Sequence, residues 1–174
     1  MELFARFRER KLGLGREQGM LKHTVHRAAL DEIERAFDLV TEYYEEVGVE
    51  VREDLSQFEH QYFVEGTGVW LVTVQGDAVG CIALRELGTR PKCGEIKRMY
   101  VRAPYRGQGL ADALLQALEE YAAKWGYEWL YLDTMHTMAA AARFYERNSY
   151  HRCNRYNDNP QAGLFLRKRL AGDR

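Results

Sequence analysis

The segment VRAPYRGQGLADALLQALEEYA, residues 101–122, constrains this chain more than any other. Two glycines, Gly107 and Gly109, stand directly before a strongly helical run. Glycine costs a helix about 1 kcal/mol relative to alanine, so two glycines at a helix entrance need a physical reason. One reason is a simple turn. The other is a backbone that approaches an anion at the helix N-terminus, where free N–H groups and the helix dipole favour negative charge.

Two common phosphate loops do not fit this segment. A Walker loop needs GxxxxGK[ST], and no lysine follows these glycines. A dinucleotide loop needs glycine or alanine where Asp112 stands. The pattern that does fit is R-x-x-G-x-A, from Arg106 to Ala111, between a strand-like and a helical segment.

Composition predicts one cytoplasmic domain. The chain has 174 residues and a formal net charge of −1, so no global charge favours nucleic acid. No apolar run approaches the roughly 20 residues of a membrane span, and the first residues lack the apolar core of a secretory signal. The three cysteines are odd in number and far apart, which is typical of reduced thiols. We therefore expect no nucleic-acid or membrane partner, and either a monomer or a homodimer.

Hydrophobic periodicity predicts the order β-α-α-β-β-β-α-β-α-β-β, a single α/β domain with a mixed sheet. Asp31 is predicted to cap the first helix, and Gly126 to end the long third helix. The predicted strands are 20–28, two runs around a turn at 75–77, 94–101, 128–134, 149–156 and 163–170; the predicted helices are 31–47, 55–64, 110–125 and 138–148.

The segments GEIKRMYVRAPYRGQGLADALLQALEEYA and AAARFYERNSY resemble two motifs of the GNAT superfamily of N-acetyltransferases. The order of elements also resembles this family over residues 20–170. The resemblance implies a GNAT domain at 20–174, with a mostly antiparallel sheet of about seven strands, splayed at its centre and flanked by helices. Residues 1–19 lie outside the match and are predicted to form an N-terminal arm.

The sequence departs from the family pattern at two positions. Ser149 stands where glycine is usual before an aromatic residue, so this turn could differ in shape. Asp112 follows the loop where small or basic residues are common. A carboxylate there suits the helix dipole but repels a neighbouring pyrophosphate, so it has to point away or affinity suffers.

The resemblance implies transfer of an acetyl group from acetyl-CoA to an amine by direct attack on the thioester. A backbone N–H at the edge of the strand before the loop can polarise the thioester carbonyl. Arg106 is expected either to contact the pyrophosphate or to brace the loop. The predicted cofactor-binding residues are Met99, Tyr100 and Val101 for the pantetheine arm, and Arg106, Gly107, Gln108, Gly109, Leu110 and Ala111 for the pyrophosphate.

Two residues are predicted to be catalytic. Glu95 matches the position of a base in several family members; it could equally be a surface strand residue paired with Lys97 or Arg98. Tyr145 matches the family's general acid, against the alternative that it only packs in the core. We expect no metal, because His23 and His26, three residues apart in a strand, face opposite sides.

The acceptor of the acetyl group is indicated only by the distribution of charge along the chain. Residues 31–54 carry a local net charge of −8, which could steer a cationic amine, and residues 85–106 carry +5, which suits a phosphorylated cofactor. The leading hypothesis is an N-acetyltransferase for a small-molecule amine or amino acid. The alternatives are a protein or peptide N-acetyltransferase and a non-catalytic acyl-CoA-binding module.

Overall fold

A computed structural model describes residues 21–49 and 53–170 of the chain. The predicted arm at residues 1–19 lies outside the described residues. No helix within these two ranges is long and apolar enough to cross a membrane.

Seven strands form one open sheet in the order β1-β2-β3-β4-β5-β7-β6. Only β4 and β5 pair in parallel; the other neighbours are antiparallel. The strands are β1 His23–Arg27, β2 Gly68–Val74, β3 Asp77–Glu86, β4 Cys93–Val101, β5 Trp129–Thr134, β6 His151–Arg152 and β7 Leu164–Arg169. The predicted mostly antiparallel sheet of about seven strands is confirmed.

Four helices flank the sheet: α1 Ile33–Val47, α2 Leu55–Tyr62, α3 Leu110–Trp125 and α4 Ala139–Arg147. The predicted cap at Asp31 is wrong, because a 3-10 turn at Leu30–Glu32 precedes α1. There the Glu32 carboxylate, not Asp31, accepts the Ala29 N–H at 3.1 Å. The strand predicted at 149–156 is also too long, since only the two residues of β6 pair with β7.

The helices form one layer on each face of the sheet. One core joins α3 and α4 to the sheet through residues such as Leu114, Tyr145 and Ile96. A second core joins α1 and α2 to the opposite face through residues such as Leu39, Phe58 and Tyr100. Because side chains alternate along a strand, successive residues of β4 and β5 point to different helix layers.

The sheet opens between its two parallel strands. β4 and β5 pair only from Cys93–Trp129 to Glu95–Tyr131, near the start of both strands. Further along, β4 keeps β3 on one side, and residues 96–101 have no strand partner on the other side within the described chain. The predicted central splay is confirmed, and it leaves a strand edge open to a ligand.

A β-bulge lies in the open half of β4. Arg98 and Met99 together oppose the single residue Ile82, because Lys97 pairs with Ala83 and Tyr100 with Cys81. Arg98 has a φ of +57°, a left-handed conformation that is uncommon for a side chain of this size. The bulge changes the direction of β4 at the opening of the sheet.

Candidate active site

Two cavities that share lining residues lie beside the open edge of β4. The gap pocket, about 220 Å³, lies between the strands and includes Lys97, Asp133 and Tyr145 in its wall. The loop groove, about 720 Å³, runs past the loop that precedes α3 and includes Gly107 and Gly109. Both cavities share one wall, formed by Tyr43, Val47, Met99, Ala111, Met138, Ala141 and Phe144. Of the predicted pantetheine residues, Met99 lines both cavities, and Tyr100 and Val101 line the loop groove.

The loop before α3 uses glycine for its backbone conformation. Gly107 and Gly109 have φ values of +73° and +81°, which glycine adopts without strain. A Cβ atom on either glycine would meet nothing within 4 Å, so the space in front of this backbone is open. Gly109 is the N-cap of α3, and the first N–H groups of a helix lack partners inside the helix. This geometry suits an anion.

Arg106 ties the loop to the rest of the domain. Its Nε donates to the Val101 carbonyl oxygen at 2.6 Å, and its Nη2 donates to both oxygens of Glu46 at 2.6 and 2.7 Å. Of the two expected roles, these contacts are those of a brace. A direct contact of Arg106 with the cofactor stays a prediction.

The two departures from the family pattern have structural counterparts. Ser149 has a φ of +68°, so it makes the left-handed turn that glycine usually makes. Asp112 lies in the first turn of α3 and does line the loop groove, but Arg147 of α4 pairs with it. The Nη2 atom of Arg147 lies 2.8 and 3.0 Å from the two Asp112 oxygens.

The acidic and basic segments lie against each other. Glu42 pairs with Arg102, Glu46 with Arg106 and Glu53 with Arg98, each with an N–O distance of 2.6 Å. These contacts join residues 31–54 to residues 85–106. Since opposite charges this close cancel at longer range, neither segment presents its full net charge to an approaching ligand.

Tyr145 lies on α4 and is about 5% exposed, at the wall of the gap pocket. Its ring packs edge-on against Phe144 and Tyr150, with centroids 5.0 and 5.3 Å away. Burial raises the pKa of Tyr145 well above its ordinary value, and Tyr43 and Glu119 raise it further. The phenol is therefore protonated at neutral pH, as a proton donor has to be.

Glu95 is almost fully buried and is held by four side chains. Arg85 donates to Oε2 at 2.7 and 2.6 Å. Lys97, Tyr156 and Asn157 contact Oε1 at 2.8, 3.0 and 3.2 Å. Burial alone raises the pKa of Glu95, but the charges of Lys97 and Arg85 outweigh it and hold the pKa below its ordinary value.

The alternative of a surface strand residue is wrong in its exposure, because Glu95 is buried, but its ion pair with Lys97 is present, whereas Arg98 pairs with Glu53 instead. Glu95 is not part of the wall of the gap pocket, and Lys97 stands between it and that pocket.

Asp133, at the end of β5, belongs to the same buried network. Lys97 donates to its Oδ1 at 2.7 Å, and Asn157 and Asn159 donate to its Oδ2 at 2.8 and 3.1 Å. Burial opposes ionisation of Asp133, yet Lys97 and the two amides lower its pKa. Sequence reasoning missed this residue, although an acid within the otherwise apolar strand WLYLDT was a usable signal.

The gap pocket has a different chemistry on each face of the sheet. Ile96 and Leu132 pack in the core under α3 and α4, together with Tyr145. Their neighbours Lys97 and Asp133 alternate with them and so point to the α1 and α2 side. The opening therefore has a phenol on one face and a charged network on the other.

Two histidines and Cys93 lie outside both cavities and make contacts that serve the fold. His23 Nδ1 lies 2.8 Å from the Leu21 carbonyl oxygen, and His26 contacts Glu32. Within residues 21–49 and 53–170, no group of three His, Cys, Asp or Glu side chains could hold a metal ion. Cys93 packs against Leu87 and Tyr131, where burial raises the pKa of its thiol.

Comparison with known proteins defines the class. The family model of the acetyltransferase (GNAT) family matches residues 33–150, and the chain belongs to this family. It is therefore an N-acetyltransferase by family. A relative from Schizosaccharomyces pombe, an uncharacterized N-acetyltransferase, is 34% identical over 129 residues, covering 70% of this chain and 78% of the relative.

Two further proteins carry more specific names. N-acetylaspartate synthetase of Xenopus tropicalis is 33% identical over 97 residues, covering 55% of this chain and 35% of that protein. The structure of N-acetylglutamate synthase from Neisseria gonorrhoeae, complexed with coenzyme A and N-acetyl-glutamate, superposes with a TM-score of 0.70 at 18% identity. The superposition covers 86% of this chain and 35% of that one.

Proposed function

We propose that this protein transfers an acetyl group from acetyl-CoA to the primary amine of a small molecule or an amino acid, by direct attack in a ternary complex. The observation that carries the proposal is the open edge of β4, which lines the gap pocket with residues 96–99 and the loop groove with residues 99–101. One ligand can thus place an anion at the loop and its far end beside Tyr145.

The loop groove is proposed to hold the cofactor. Backbone N–H groups of Gly107, Gln108, Gly109, Leu110 and Ala111 would bind the pyrophosphate, because they surround the N-terminus of α3. The pantetheine arm, which resembles a peptide, would pair with the edge formed by Met99, Tyr100 and Val101. A backbone N–H on that edge would polarise the thioester carbonyl.

Proton movements are assigned to the two faces of the opening. As the C–N bond forms and the C–S bond breaks, Tyr145 gives its proton to the departing sulfur. On the other face, the amine's proton goes to Glu95 through water, while Lys97, which touches Glu95 and lines the gap pocket, keeps its own proton because an ammonium has no acceptor. Asp133 lines the pocket directly and is the competing acceptor of that proton.

A compact acceptor fits the gap pocket better than a polypeptide. Aromatic and methionine side chains wall the pocket, among them Tyr43, Tyr44, Met135, Met138 and Phe144. N-acetylaspartate synthetase and N-acetylglutamate synthase are both named for amino-acid products, which favours amino acids as the first acceptors to test.

The cofactor assignment is tested by Gly109→Glu, with Gly126→Glu as the matched control. Both glycines flank α3 with open space around them, and their φ values of +81° and +104° mean that a side chain at Gly126 strains the backbone at least as much as one at Gly109. Coenzyme A at 100 times its dissociation constant should stabilise the wild type by about 2.7 kcal/mol in thermal unfolding. We expect Gly126→Glu to keep this stabilisation and Gly109→Glu to lose it; retention by both would refute the loop assignment.

Turnover separates the candidate activities. Thiol release with amino acids, polyamines and peptides as acceptors, followed by mass spectrometry of the product, identifies the acceptor class. Turnover only with peptides would establish the protein acetyltransferase alternative, and binding without turnover would establish the acyl-CoA-binding module.

The base is tested by the pH dependence of turnover. If Glu95 is the base, higher pH should restore the turnover of Glu95→Gln, because more of the amine is already deprotonated. Restored turnover of Asp133→Asn instead would assign the base to Asp133.

A further inference from the structure

The mouth of the loop groove contains an acid at the place where an anion is proposed to bind. Four charged residues line the groove: Glu46, Arg106, Asp112 and Arg147. Their formal charges cancel, since Arg106 pairs with Glu46 and Arg147 with Asp112. A phosphate arriving at Gly107 and Gly109 meets no unpaired cation in this wall, so one of the two pairs has to open if a side chain is to neutralise it.

The two arginines differ in how firmly they are held. Arg106 donates to Glu46 and also, through Nε, to the Val101 backbone. Arg147 donates to Asp112 through Nη2 alone, and its Nε and Nη1 atoms make no hydrogen bond to the residues that the structure describes. Its side chain is 61% exposed, against 46% for Arg106. Arg147 is therefore the cation that can be released.

Exchange of Arg147 from Asp112 to a phosphate is physically favourable. An ion pair this exposed adds little to stability, whereas arginine binds phosphate bidentately and strongly. The ring of Phe144 lies 4.9 Å from the guanidinium carbon and keeps the side chain at the groove. Asp112 would not be left without a donor, because Asn148 Nδ2 lies 3.2 Å from Oδ1 and the helix dipole favours an acid there.

We propose that Arg147 is a phosphate-binding residue of the cofactor site, which Asp112 holds in the free protein and releases when the cofactor binds. The inference rests on the proposed acetyl-CoA function. It assigns a positive charge for the phosphate to the end of α4, since the loop's own Arg106 is bound to Glu46 and Val101 in the free protein.

Isothermal titration with coenzyme A tests the proposal through three variants. Arg147→Gln should bind about tenfold more weakly, as expected for the loss of one charge-assisted contact. Asp112→Asn should bind as tightly as the wild type or more tightly, because it removes a competitor for Arg147. Arg152→Gln is the control, since Arg152 also pairs with an acid, Glu146, on the surface but does not line the groove. It should leave affinity unchanged.

Cofactor fragments identify the phosphate. If the loss in Arg147→Gln persists with 3′-dephospho-coenzyme A, the contact is with the pyrophosphate; if it disappears, the contact is with the 3′-phosphate. An equal loss with pantetheine, which has no phosphate, would overturn the proposal. The proposal would also be overturned if the affinities of Arg147→Gln and Arg152→Gln for coenzyme A agreed within about twofold, because the loss of one charged contact should change affinity by more than that.

The two proposals fail differently. A wild type that does not bind coenzyme A would overturn both the proposed function and the role of Arg147. Binding by the wild type with no specific loss in Arg147→Gln would overturn only the role of Arg147. Far-UV circular dichroism and the urea midpoint, compared with those of Arg152→Gln, show whether each variant is folded.

Discussion

Replacement of Lys97 by methionine tests the charged network at the gap pocket. The Lys97 ammonium lies 2.8 Å from Glu95 and 2.7 Å from Asp133, and the three side chains are only 12%, 1% and 5% exposed. Methionine keeps most of the apolar stem and removes the charge. The variant therefore leaves two buried carboxylates without the cation that they share.

The loss of stability in Lys97→Met depends on the hydrogen-bond and ion-pair partners that Glu95 and Asp133 keep. Breaking a buried ion pair by removing one partner costs about 3–5 kcal/mol. Glu95 keeps Arg85, and Asp133 keeps the amides of Asn157 and Asn159. Since neither carboxylate loses all its donors, we expect a cost near the lower end, about 3 kcal/mol.

The cost should depend on pH in a defined direction. In the wild type the pKa values of Glu95 and Asp133 are lowered, so both carboxylates contribute stability above their ordinary pKa values of about 4 and lose it as pH falls further. Without Lys97, whose charge is the first cause that lowers each of them, both pKa values rise relative to those in the wild type. The variant is then most destabilised at neutral pH, and its difference from the wild type narrows as the pH falls towards about 4.

Urea unfolding at neutral pH and near pH 4.5 measures this difference, with Lys92→Met as the control. Lys92 also pairs with a carboxylate at 2.8 Å, that of Glu128, but both side chains are more than half exposed. Its removal should change the midpoint little at either pH. Equal midpoint shifts for the two lysine variants, or a cost of Lys97→Met that does not change with pH, would refute the reasoning.

Three other substitutions give separate expectations. Tyr145→Phe should lower kcat about 10²–10⁴-fold without weakening coenzyme A binding in titration. Tyr150→Phe is the control and should keep kcat, because the Tyr150 hydroxyl contacts Glu119 and Tyr150 does not line the gap pocket. Equal kcat values for the two variants would show that Tyr145 only packs in the core. Ser149→Gly should raise the free energy of unfolding by about 0.5–1 kcal/mol in urea titration, because it relieves a φ of +68°, and a loss of stability would contradict this. Tyr62→Phe should leave the free energy of unfolding unchanged or raise it by up to about 1 kcal/mol, since the buried Tyr62 hydroxyl has no hydrogen-bond partner among the described residues. A loss above about 1 kcal/mol would show that the hydroxyl does have a hydrogen-bond partner.

The sequence predicted the features that depend on local order. Strand and helix periods placed most of the elements, and Lys97 was one of the two partners proposed for Glu95 in its non-catalytic interpretation, where the two side chains do pair. Asp133 escaped prediction because its contact with Lys97 depends on where β4 and β5 separate. That point is set by the short parallel register and the bulge at Arg98, which no local pattern specifies.

The ion pairs between the acidic segment 31–54 and the basic segment 85–106 escaped prediction for a related reason. Glu42 and Glu46 are one helical turn apart on α1, and their partners Arg102 and Arg106 are also four residues apart, in the loop after β4. Each pair joins residues 60 positions apart in sequence. Sequence alone showed two opposite charge runs and suggested two separate ligands, whereas the tertiary fold uses part of each run to bind the other.

These pairs make α1 the connection between the two halves of the proposed site. Glu46 of α1 holds Arg106 and thereby the loop, while Tyr43 and Val47 of the same helix form the wall shared by the loop groove and the gap pocket. A shift of α1 would therefore move the loop and the acceptor pocket together. Under the proposed function, the length of the cofactor fixes the distance from the pyrophosphate to the thioester, so α1, which lines both cavities, would keep the reacting atoms at the open edge of β4.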